Sequence, residues 1–135
     1  MRSKIIFCIC LTFVLALGMI SSPQADEFTK EDLKKWEAAF MEVVLEGEKL
    51  FHSALGSNTV SCDMCHPNAS NTHPETYPKF QKQIGEVSTL RDMINWCIEN
   101  PLEGEPWKLD DPRMIALEAY ITWERRGMSL APGKH

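Results

Sequence analysis

The sequence has 135 residues, with 14 Lys and Arg against 19 Asp and Glu and a formal net charge of −5. That length bounds it to one small domain whose own core is marginal. The acidic balance argues against nucleic acid and against anionic membrane surfaces as partners.

The chain opens MRSKIIFCICLTFVLALGMISSPQADEF, in which Arg2 and Lys4 precede an apolar run from Ile5 to Ile20. That order of charge and apolarity is a secretory signal peptide. The apolar run falls short of the roughly 20 residues that cross a bilayer comfortably, so no stable membrane insertion is expected. Residues 1–25 are read as the leader, with Ala25 its last residue, and 26–135 as one exported, periplasmic domain. Taking Arg2 and Lys4 from the 14 basic residues leaves 12 against 19 acidic ones, a formal charge of −7. Of the five cysteines, Cys8 and Cys10 leave with the leader and Cys62, Cys65 and Cys97 remain. An odd count in an oxidising compartment means that one thiol is modified, paired between molecules or bound to something.

Thr29 is placed to cap a helix from Lys30, with Asp32 completing a capping box. Leu33, Trp36, Phe40, Val43, Gly47, Leu50 and Phe51 then recur at helical spacing and predict a helix to about Leu55. Residues 62 to 66 read CDMCH, the C-x-x-C-H pattern of covalent haem c attachment. The physical reason is spacing: Cys62 and Cys65 on a tight turn reach the two vinyl groups of one porphyrin, and His66 follows as axial ligand to the iron. A zinc half-site would want a second Cys/His pair, for which only His73 offers itself, and a redox dithiol needs no histidine after it. One motif means one haem. The run PNASNTHPETYPKFQ is a polar loop with special backbone geometry. Ser88 or Thr89 caps a middle helix over Leu90 to Glu99 that Pro101 stops. Asp111 and Pro112 open a last helix carrying Met114, Leu117, Tyr120 and Ile121, which Gly127 ends. The tail SLAPGKH is expected to be exposed. No alternating strand pattern is visible, and the predicted fold is all-α.

A six-coordinate iron needs a distal ligand, and Cys97, Met41, Met64, Met93, Met114, Met128, His52, His73 and His135 are the side chains able to supply one. Met64 lies inside the attachment motif, Met41 precedes it, and His135 is terminal. Leu90, Met93, Ile94 and Cys97 fall on one helical stripe, because separations of 3, 4 and 7 share a face. Met93 at such spacing is ordinarily core filling, and Cys97 can equally be a buried core thiol.

Over nearly all of its exported length the chain resembles class I cytochromes c. EGEKLF ahead of CDMCH, and PRMIALEAYITWERRG near the end, look like the first and last helices of that fold. In the family a small residue of the first helix lies beneath an aromatic of the last, which Gly47 and Phe51 against Tyr120 match. The resemblance implies a distal ligand between the motif and the last helix, leaving Met93 and Cys97 best placed and His73 next. It also implies that a proline carbonyl, from Pro74 or Pro78, accepts the proximal histidine's second N–H.

A narrower resemblance covers YPKFQKQIGEVSTLRDMINWCIENPLEGEPWKLDDPRMIALEAYITWERRG. It is similar to the haem domains of thiosulfate dehydrogenase and of the haem-thiolate subunit of the sulfur-oxidation (Sox) system. Leu90, Ile94, Cys97, Gly104, Leu117, Tyr120, Ile121 and Trp123 carry the likeness, and it implies His66/Cys97 ligation. Two departures count. Asn100 stands where the thiosulfate dehydrogenases tend to carry arginine, and the chain has no second C-x-x-C-H for a second haem. A dianionic sulfur substrate needs positive charge near a reactive thiolate, for which Arg91, Lys79, Lys82 and Lys108 are the candidates, opposed by Glu99, Glu103 and Glu105. The first expectation is therefore a monohaem cytochrome that passes single electrons to a redox partner protein. The alternative is a subunit of a sulfur-compound-oxidising enzyme, with Cys97 as haem ligand and sulfur-binding group beside a second haem subunit.

Overall fold

The structure, a computed structural model, describes residues 28–135; the expected leader, 1–25, lies outside them. The chain divides into two units, with the boundary between Leu33 and Lys34.

In the first unit the described residues hold the start of helix α1 (Lys30–Phe51). The capping box is present: the Thr29 amide donates to Asp32 Oδ2 at 3.1 Å, and the Asp32 amide to Thr29 Oγ1 at 3.1 Å. The two reciprocal bonds satisfy donors that a bare helix end leaves orphaned.

In the second unit α1 runs on to Phe51, short of the expected Leu55. Its end is tightened by Ser53, whose hydroxyl donates to the Lys49 carbonyl (2.6 Å) and whose amide donates to Leu50 (3.1 Å). A single turn, α2 (Cys62–Cys65), follows. The middle helix α3 (Leu90–Glu99) starts at Thr89 with a second complete capping box to Asp92. The last helix α4 (Pro112–Glu124) has Asp111 as N-cap and proline at its first position. Gly127 beyond it has φ +85°, a left-handed conformation that suits glycine.

The core joins α1, α3 and α4 through Val44, Phe51, Ile94, Ile98, Met114, Leu117, Tyr120 and Ile121. α1 and α4 meet at Gly47. A Cβ built there would lie 1.9 Å from the Ala116 carbonyl oxygen and 2.8 Å from Tyr120 Cβ. Only hydrogen fits, and Phe51 then packs on Tyr120 with ring centroids 5.1 Å apart. Gly56 plays the same part in a loop, where a Cβ would sit 1.7 Å from the Leu102 oxygen. That close approach ties the segment before the motif to the segment after α3.

The all-α architecture carries one addition that the sequence did not predict. Strands β1 (Lys79–Gln81) and β2 (Glu86–Ser88) pair antiparallel, with Phe80 opposite Val87. Three residues are too few for alternation to register as a pattern. The turn is instead closed by Gln81, whose carbonyl accepts from Ile84 (3.1 Å) and Gly85 (2.7 Å), Gly85 having φ +89°.

The tail is exposed but not idle. The Ala131 amide donates to the Glu75 carbonyl at 2.8 Å, and the Gly133 amide to Thr76 at 2.9 Å and Pro78 at 3.1 Å. These bonds strap the loop that leads into β1.

Candidate haem site

α2 is one turn because three residues of spacing bring Cys62 and Cys65 to one side of it, and the His66 amide closes the turn on the Cys62 carbonyl at 2.9 Å. Asp63 anchors the turn to the end of α1: it accepts from the Ser61 hydroxyl and lies 3.0 Å from His52 Nδ1. Those bonds, Ser61's first, lower its carboxyl below the usual range.

The loop after the motif has the special backbone geometry expected of it. Asn68, Ala69, Asn71 and His73 all take φ between 49° and 58°. Asparagine visits this region readily, whereas a residue such as Ala69 is disfavoured there by roughly 1–2 kcal/mol, and Thr72 offsets part of this by donating to the Ala69 carbonyl at 2.6 Å. The result of the bend is that Ser70 presents its carbonyl to His66 Nδ1 at 3.0 Å. This corrects the expectation of a proline acceptor. The Pro74 carbonyl serves Tyr77 and the Pro78 carbonyl serves Gly133. A backbone carbonyl can accept only the protonated Nδ1, which leaves the Nε2 lone pair of His66 for a metal.

Cys62, Cys65 and His66 line a cavity of about 420 Å³. To the same lining α3 contributes Leu90, Met93, Ile94, Trp96 and Cys97, and Phe51, Leu117 and Ile121 add apolar surface. The predicted stripe of α3 therefore faces this space as a unit. Burial pushes the Cys62 thiol up to about 12, with Cys97 adding, and the Cys97 thiol up to about 11, with Cys65 adding. Thiols so placed stay protonated unless a cation takes the proton's place.

The other candidate ligands lie elsewhere. His52 faces Asp63, His73 Nδ1 is 3.0 Å from Glu75 Oε1, and Met114 is wholly buried in the core. Met64 and Met128 are exposed. Of the sequence candidates for a distal ligand, the cavity lining includes Met93 and Cys97.

The chemistry of this donor set fits a porphyrin. Among the described residues no group of three or more His, Cys, Asp or Glu side chains is arranged to hold a bare metal ion. Two thiols for thioether bonds, a free imidazole Nε2, a facing sulfur and an apolar slot are what a macrocycle with its own four nitrogens requires.

Sequence reasoning missed Asn95. Its side chain copies a backbone pair, donating to the Trp107 carbonyl (2.7 Å) and accepting from the Trp107 amide (2.8 Å). It thereby holds the 101–107 segment, including the cavity residues Pro101 and Leu102, against α3. An asparagine on a helix next to an apolar stripe was the available signal. Arg91, one of the candidate cations, is committed elsewhere: it forks onto Glu118 at 2.9 and 2.6 Å and donates to the Leu109 carbonyl at 2.6 Å.

The family model for the SoxA/TsdA cytochrome c domain matches residues 46–130. The chain belongs to that family. A thiosulfate dehydrogenase of Psychrobacter arcticus is 32% identical over 79 residues, covering 53% of this chain and 24% of the relative. The L-cysteine S-thiosulfotransferase subunit SoxA of Pseudaminobacter salicylatoxidans is 20% identical over 132 residues, covering 90% of this chain and 43% of the relative. The crystal structure of SoxXA from P. pantotrophus superposes with a TM-score of 0.64 at 22% identity, covering 72% of this chain and 38% of that one, which shows the fold. The chain thus spans less than half the length of these relatives. No described helix is long and apolar enough to cross a membrane.

Proposed function

We propose that this chain is the haem c domain of a periplasmic sulfur-compound-oxidising enzyme, working with a redox partner that carries a second haem. Cys62 and Cys65 hold the haem through thioether bonds, His66 is the proximal ligand through Nε2, and Cys97 is the distal ligand, with Met93 the alternative. The observation that carries this reading is the shared lining of one apolar cavity by Cys62, Cys65, His66 and Cys97. Relatives named for thiosulfate oxidation and for thiosulfate transfer to cysteine support sulfur chemistry over general electron carriage.

When bound, the haem supplies one-electron chemistry at iron. The chain's own residues do the rest. Ser70 orients the His66 ring through Nδ1 and raises its basicity. The apolar residues of α1, α3 and α4 exclude water from the slot. Cys97 would meet the iron as a thiolate, the metal taking the place of the proton that partial burial otherwise keeps on it.

The reading is tested by the electron paramagnetic resonance spectrum of the oxidised holoprotein. A low-spin thiolate signal is expected, and Cys97→Ala should abolish it while intact mass still shows one haem. Met93→Ala should leave it unchanged. A wild-type ferric spectrum in Cys97→Ala would make Cys97 a core thiol and remove the basis for sulfur chemistry.

A single-electron carrier is the second reading, favoured by Asn100 and by the single C-x-x-C-H. Thiosulfate-dependent reduction of an artificial acceptor that is lost in Cys97→Ala selects the enzyme. Rapid electron exchange without such turnover, with or without a second haem protein present, selects the carrier.

A further inference from the structure

The sequence has 19 acidic residues, yet none of those described lines the cavity; Lys79, on β1, does. Among the described residues no carboxylate stands within ion-pair distance of its ammonium, in contrast to Arg91, Arg113 and Arg125. The Lys79 Nζ instead rests over the ring of Tyr77, 4.8 Å from its centroid. A partly buried cation beside an apolar slot, with no counter-charge from the protein, marks a place where negative charge from elsewhere is stabilised.

Tyr77 adds a second donor. Its hydroxyl oxygen accepts from the buried Gln81 amide, which pins the ring and leaves the phenolic O–H free to donate. The phenol keeps its proton at neutral pH, because burial and then the charge of Cys97 push it up to about 12. Tyr77, Lys79 and Cys97 all line the same cavity. The neutral side chains of Asn71, Thr72 and Gln83 complete this polar wall without adding a carboxylate. Both Tyr77 and Lys79 sit on the segment that the C-terminal tail straps through Glu75, Thr76 and Pro78.

We propose that Lys79 and Tyr77, held by Gln81, form an anion clamp in this cavity that takes an oxygen-bearing anion: a carboxylate of the porphyrin or a small sulfur oxoanion. The clamp rests on the haem-cavity reading given above. It assigns to this chain's own Lys79 the positive charge that Asn100 does not supply. An ammonium and a phenol approach such an anion from the same wall, and their charge-assisted bonds strengthen as water is excluded.

The test uses the haem-loaded full chain with Lys79→Met, Lys79→Arg and Tyr77→Phe. Lys79→Met keeps the aliphatic stem and removes only the charge. Thiosulfate binding is followed by calorimetry, and the porphyrin carboxylates by redox-difference infrared spectroscopy. If the anion is diffusible, Lys79→Met weakens thiosulfate binding about tenfold or more, Tyr77→Phe weakens it less, and Lys79→Arg restores it. If the anion is the porphyrin's own, the carboxylate bands shift in Lys79→Met and Tyr77→Phe and return in Lys79→Arg, while thiosulfate binding is unchanged. Unmoved bands together with unmoved thiosulfate affinity overturn the clamp. Absence of haem by intact mass would overturn the cofactor reading instead, and thiosulfate calorimetry on that haem-free chain would still decide the clamp, an unchanged affinity in Lys79→Met overturning it.

Discussion

The two halves of α1 in the second unit carry the same helical rhythm of apolar residues and have opposite fates. Trp36, Phe40 and Val43 are 47, 44 and 37% exposed, whereas Val44, Gly47 and Phe51 are buried, the last two against α4. The family match begins at Glu46, close to where burial begins. The difference teaches that periodicity specifies a face without specifying what covers it. In the second half the cover is α4, admitted by Gly47. In the first half Phe40 still meets α4, edge-on to Trp123 with centroids 6.0 Å apart, but that contact leaves both rings near solvent.

If the halves differ in this way, truncations along α1 should differ in cost by severalfold. Phe51→Ala removes a side chain that is 1% exposed and packed on Tyr120, and should cost about 3–5 kcal/mol in the urea unfolding of the haem-loaded protein. Gly47→Ala forces a methyl onto the Ala116 carbonyl and should cost about 3 kcal/mol, since backbone has to move apart to admit it. An unchanged midpoint in that variant would mean that the α1–α4 approach is looser than the distances imply. Phe40→Ala should cost about 1 kcal/mol, the worth of one half-exposed aromatic pair. A loss as large as that of Phe51→Ala would erase the contrast between the halves.

The smallest effect is expected at the helix start. Thr29→Ala removes the capping box with Asp32 and should change the global midpoint by only a few tenths of a kcal/mol, less than the ~1 kcal/mol usual for a cap. The loss should show instead as faster amide hydrogen exchange in the first turns. Global destabilisation by the full amount would mean that this end folds as one with the rest.

What the sequence determined by itself is local. CDMCH, the box at Thr29 and Asp32, the Asp111–Pro112 start and the α3 stripe of Leu90, Met93, Ile94 and Cys97 are all set by neighbours within one or two turns, so spacing alone exposes them. Tertiary structure decided the rest. It chose the Ser70 carbonyl over a proline for His66, drew Arg91 away onto Glu118, and kept every carboxylate of the described residues off the cavity wall while leaving Lys79 on it. It also folded a hairpin too short to announce itself and buried only one half of an evenly patterned helix. The physical reason is the same in each case. A backbone carbonyl, a charge or an apolar stripe has no preferred partner until the chain's turns bring one within reach, and those turns depend on left-handed residues and close approaches between segments far apart in sequence.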